Sequence, residues 1–214
     1  MERYMVSKDW ITMVFMIIFG LLVLAKLFFP QRFQDFLKLL VSNRYFDFKR
    51  GNFQTDYFSI FLFLANILSI SLLIFIIWKH FSPEKITDPK ILFVQIALAY
   101  CMFFTIKYFL EKIIADLFQI DKMMTRYVWY KISFRNFLSL LLLLPSLFFI
   151  YGHPASTTEI VVLSCMVGGF NIVVLANFYR KNQPYILPQW FYFILYLCAL
   201  EIGPYFILYK VIGS

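Results

Sequence analysis

The chain has 214 residues and a formal net charge of +8; it is 62% hydrophobic, 21% aromatic and only 15% charged. Soluble domains are about 45–50% apolar and about 25% charged, so this chain lacks the polar residues needed to cover a soluble surface. Composition therefore excludes a cytosolic globular enzyme, a disordered tail and a nucleic-acid module, the last despite a pI of about 9.3, and leaves an integral membrane protein.

A membrane-crossing helix needs about 20 mostly apolar residues. Six stretches supply them, at 10–29, 57–78, 91–110, 132–151, 159–178 and 188–209. None alternates apolar and polar residues as an outer-membrane strand does. The expected fold is an all-α integral membrane protein of about six transmembrane helices, a single polytopic domain over 1–214 without a soluble domain. Prolines 30, 83, 89, 154, 184 and 188 fall at or near the boundaries. All four tryptophans (Trp10, Trp78, Trp129, Trp190) lie at span ends, where amphipathic rings favour the membrane interface.

The first span ends in Lys26-Leu27-Phe28-Phe29-Pro30. It offers no small-residue cleavage site, so it is expected to stay as an anchor. Beyond it, Phe33, Phe36, Leu37 and Leu40 recur at spacings of three and four. They predict an amphipathic helix over 31–41, opened by Pro30 and lying in the cytoplasmic interface. The next segment interleaves aromatics with cations, among them Arg44, Tyr45, Lys49 and Arg50. Together with the apolar stripe it reads either as an interfacial anchor or as a docking surface for lipid or a partner.

The second span carries Asn66, Ser69 and Ser71, and the third has Gln95 near its outer end. The third span's apolar stripe continues through Ile113, Ile114, Leu117 and Phe118. Lys107 and Glu111, four apart, can pair on one face. This predicts a helix that leaves the membrane and either bends along it or projects beyond it. The fourth span opens with Arg135 and Asn136 and is expected to break at Pro145. The fifth holds Asn171 and Asn177, and its Ser164/Gly168 and Cys165/Gly169 spacings predict a close-packing face.

Glu201 stands about a dozen residues into the sixth span, followed by Gly203 and Pro204. Pro204 removes the amide that would bond the Leu200 carbonyl, leaving a free carbonyl beside a carboxyl group. Two readings are open. One is a proton or cation site of the transporter kind, with Gln95 and Asn171 as further intramembrane polar groups. The other is a protonated Glu201 that fixes helix packing through one hydrogen bond.

Orientation is read from Lys and Arg counts. The loops after spans one, three and five hold 11 of them against 6 on the opposite side. Those loops are expected in the cytoplasm, where they meet anionic headgroups, and both termini in the periplasm. Cys101, Cys165 and Cys198 fall inside spans without CxxC spacing and read as packing residues. No zinc spacing, nucleophile elbow or glycine-rich phosphate loop occurs, so no cofactor, metal or catalytic residue is expected.

The Asn43-Arg44-Tyr45-Phe46 segment, the Phe-rich second span with Asn66, Ser133-Phe134-Arg135-Asn136 leading into Pro145, and the short loop at 152–158 together carry a resemblance. The chain resembles a domain-of-unknown-function family of multi-pass inner-membrane proteins from Bacteroidota. That resemblance implies the plasma membrane of a diderm cell and brings no established activity. The leading functional expectation is a non-enzymatic subunit or assembly factor of a secretion or motility complex, associated with other membrane proteins. The alternative is a small transporter or proton-coupled channel centred on Glu201 and Pro204. A membrane enzyme acting on lipid or prenyl groups comes third.

Overall fold

The computed structural model describes residues 9–39, 57–81, 88–117, 121–153 and 156–186. These form helices α1 (Asp9–Phe28), α2 (Pro30–Leu37), α3 (Tyr57–Phe81), α4 (Pro89–Leu117), α5 (Asp121–Leu147) and α6 (Thr157–Ile186), with a π-helical turn at Phe148–Gly152. No strand occurs among the described residues. Among the described residues, five segments are long and apolar enough to cross a membrane: Asp9–Phe28, Tyr57–Phe81, Pro89–Ile113, Tyr127–Gly152 and Thr157–Asn177. They coincide with the first five expected spans. The expected sixth, 188–209, lies outside the described residues.

The chain divides into two compact units, Met1–Tyr100 with Ser133–Cys165, and Cys101–Ile132 with Met166–Ser214. In the first unit, α1 carries Asp9 in its first turn and Lys26 in its last, the signs favoured at the two ends of a helix dipole. Its buried residues Ile11, Phe15, Ile18 and Ala25 recur at spacings of four, three and seven. They form one stripe, which packs on α3. The core joins Phe15 and Ile18 to Leu72 and Phe75 of α3, Phe93 of α4 and Leu143 of α5.

Pro30 explains the joint between α1 and α2. A residue before proline is pushed out of the α region, and Phe29 sits at φ −135°, ψ 61°. Proline also cannot donate to the preceding turn, so the helix stops and restarts. Phe29 N–H still reaches Ala25 O at 3.1 Å, and Phe33 N–H reaches Phe29 O at 3.0 Å. The apolar face of α2 then turns toward the protein. Phe36 is fully buried, edge-on to Phe58 of α3 at 6.2 Å and to Phe137 of α5 at 5.9 Å.

One end of this unit gathers the start of α1, the end of α3, the start of α4 and the turn after α5. Trp10 meets Phe75 edge-on at 5.3 Å and lies 5.5 Å from Phe93. Thr12 Oγ1 bonds Tyr151 OH at 2.6 Å, and His80 Nε2 lies 3.0 Å from Thr157 Oγ1. At the start of α6, Glu159 accepts the Ser156 N–H at 2.8 Å, the acidic half of a capping box.

Pro145 does not break its helix as expected. It withholds the amide that would reach Leu141 O, yet α5 continues to Leu147 before widening into the π turn. Ser146 Oγ donates to Leu142 O at 2.8 Å beside the proline, and His153 N–H closes the wide turn on Phe148 O at 3.2 Å.

In the second unit, α4 runs past residue 110 to Leu117, and α5 begins at Asp121, eleven residues before the expected span. The two helices pair here, with Lys131 Nζ 3.2 Å from Glu111 Oε1. Lys131 also lies over the Tyr127 ring at 5.8 Å. Hydropathy fades at these charges, but the helices persist because the charges find each other.

Candidate functional site

Backbone groups inside a membrane-length helix are satisfied by the helix itself, so polar side chains there must find partners of their own. In the first unit Asn66, Ser69 and Ser139 do so along one seam, while Ser71 Oγ, also buried on α3, has no hydrogen-bond partner among the described residues. Asn66, nine residues into α3, is completely buried. Its Nδ2 donates to the Arg135 carbonyl of α5 at 3.2 Å, and its Oδ1 accepts from Tyr100 OH of α4 at 3.1 Å. One carboxamide thus ties three helices.

One turn further along α3, Ser69 Oγ donates to the Ser139 carbonyl at 2.8 Å, and Ser139 Oγ donates in turn to the Asn136 carbonyl at 2.8 Å. Asn136 is 5% exposed, and its Oδ1 is buried without a hydrogen-bond partner. Asn136, Ser69 and Ser139 line a small cavity whose other walls include Ile18, Ala65 and Leu143.

Replacing Asn66 by Leu is expected to lower stability by about 1–2 kcal/mol. Each interhelical hydrogen bond in a membrane is worth about 0.6 kcal/mol on average and about 1.7 at most, and two are lost. Reversible unfolding in bicelles measures this, and an unchanged midpoint would remove the three-helix tie from the account of stability.

The second unit holds a charged cluster. Lys107 and Glu111, one turn apart on α4, are each only 4% exposed. Lys131 of α5 pairs with Glu111 and keeps 21% of its side chain exposed. Tyr127 and Tyr130 are buried. Buried charges persist where they are paired, and this arrangement clamps α4 to α5.

The residues singled out by sequence are dispersed. Glu201, Gly203 and Pro204 lie outside the described residues, as do Leu40, Arg44, Tyr45, Lys49 and Arg50. Gln95 is exposed. Asn171 is exposed too, and its Nδ2 donates to Val167 O of its own helix at 2.8 Å. Phe33 is half-buried and Leu37 exposed, while the Phe36 ring is enclosed by the chain itself. Among the described residues, nothing stands within 4 Å of where a Cβ would be at Gly168 and Gly169.

No group of three or more His, Cys, Asp or Glu with metal-binding geometry occurs among the described residues. What sequence reasoning lacked was the meeting of Asn66, Tyr100, Arg135, Asn136 and the two serines. The polar residues of the spans stood out one by one. Their register across helices did not.

By its fold the chain is all-helical over the described residues, with five helices of membrane-crossing length. Residues 11–212 match the family described as Domain of unknown function (DUF4271), and the chain belongs to that family. No curated protein and no solved structure matches it.

Proposed function

We propose that the chain is a non-enzymatic integral subunit or assembly factor of a cell-envelope complex of the secretion or motility type. In this reading it resides in the inner membrane of a diderm bacterium of the Bacteroidota. It crosses about six times, with α2 and the basic loops at the cytoplasmic face and both termini in the periplasm.

The observation that carries the reading is the uneven burial of the helices. The membrane window of α3 is 50% buried within the chain, whereas those of α4 and α6 are each 11% buried. Large apolar side chains stand outward on both, including Met102 at 64% and Ile172 at 69% exposure. Lipid is sufficient to solvate such faces, and they are equally suited to helix-on-helix assembly, in which close packing rather than hydrophobicity drives association.

Photo-crosslinking in living cells tests this. A crosslinker at Met102 or Met166 should capture a discrete envelope membrane protein that also co-purifies in fixed ratio in mild detergent. One at the buried Leu72 should not. Capture of lipid alone, with a monodisperse lone chain, would sink the subunit reading. A periplasm-active reporter after Ser214 should be active and one within residues 121–125 silent. The reverse pattern would invert the topology.

A further inference from the structure

The cavity beside Asn136 has a chemistry that its walls define. Its volume is about 10 Å³, about the least that admits one water. Three polar residues line it: Ser69, Asn136 and Ser139. Both serine hydroxyl hydrogens are already committed, Ser69 to the Ser139 carbonyl and Ser139 to the Asn136 carbonyl. Only the oxygen lone pairs of these hydroxyls remain to face a ligand. The third polar group is an Asn136 Oδ1 buried without a partner. A buried acceptor left unmade costs about 1–3 kcal/mol, and native structures keep few of them.

The unmet group on this lining is an acceptor. An occupant that satisfies it donates a hydrogen bond, and the space holds nothing larger than one water. No carboxylate lines the cavity, and Arg135 adjoins Asn136 in the chain, so a cation is disfavoured on charge.

We propose that this cavity is a binding site for a single internal water, which donates one hydrogen to Asn136 Oδ1 and the other to a seam serine oxygen. The water completes the polar seam that Asn66 begins. It couples α3 to α5 at a point where the side chains alone leave an acceptor unmet. The proposal does not rest on the reading of the chain as an envelope subunit.

Water-edited solid-state NMR of the full chain in bilayers, with 15N-labelled asparagine, provides the test. Magnetisation from water should reach the Asn136 carboxamide. The Asn66 carboxamide, also buried but satisfied by Tyr100 and the Arg135 carbonyl, is the internal control and should stay dark. Ala65→Leu, which places a larger side chain in the cavity wall, should abolish the Asn136 signal. If that variant does not fold, the wild-type contrast between the two asparagines decides alone. A dark Asn136 in the folded wild type overturns the proposal. So does a saturable change of the Asn136 resonance with sodium or ammonium at fixed ionic strength, which would make the occupant a cation.

Discussion

Glu111→Leu is expected to destabilise the chain by about 3–5 kcal/mol, the usual cost of removing one partner from a buried ion pair. Lys131, 3.2 Å away with a side chain only 21% exposed, would lose the carboxylate that compensates it. Lys107, one turn earlier and 4% exposed, would share the same enclosed region. Lys131→Met should cost less, because Glu111 keeps a lysine four residues before it on its own helix. The double variant Glu111→Leu with Lys131→Met should recover most of the loss. Unfolding in bicelles measures all three. A loss below about 1 kcal/mol for Glu111→Leu would place the pair among exposed ion pairs and remove it as the clamp between α4 and α5.

Phe36→Ala is the second large effect, at about 3–5 kcal/mol for truncating an enclosed phenylalanine. Its ring has no exposed surface and makes edge contacts with Phe58 and Phe137. Its loss should free α2 from α3 and α5. A cysteine at Leu39, 3% exposed in the native chain, should then react with a water-soluble maleimide. Leu37→Ala, at a side chain 47% exposed, should stay within about 0.5 kcal/mol of the parent. If Phe36 instead faced lipid, Phe36→Ala would leave unfolding unchanged and Leu39 protected.

These two sites show what sequence could and could not convey. An apolar stripe at Phe33, Phe36 and Leu37 announces a helix with an apolar face, and α2 exists. Periodicity says nothing of what covers that face, and here Phe58 and Phe137 do so at Phe36. Likewise, Lys107 and Glu111 were legible as neighbours on one helix, but not Lys131, whose approach depends on two helices turning back on each other. The stripe through Ile113 and Leu117 already carried α4 past its membrane span, whereas a hydropathy window stops at charges and missed the first eleven residues of α5. Asn66 was visible as a polar group in an apolar run; its partners Tyr100 and Arg135 come from helices 34 and 69 residues away. The five apolar helices themselves were plain, because length and hydrophobicity are local properties.

The wide turn at Phe148–Gly152 bears on how this chain tolerates insertions and deletions. A π turn holds more residues than the α-helical turn it replaces, as though one codon had been inserted and absorbed on the spot. In a regular helix each residue rotates the rest of the chain by about 100°. Deleting one residue here would swing Tyr151 away from Thr12 and re-aim the entry into α6. The same deletion in an exposed loop would be silent. Five residues after a proline thus set the angular frame for the next helix, and length changes there should be far rarer than substitutions.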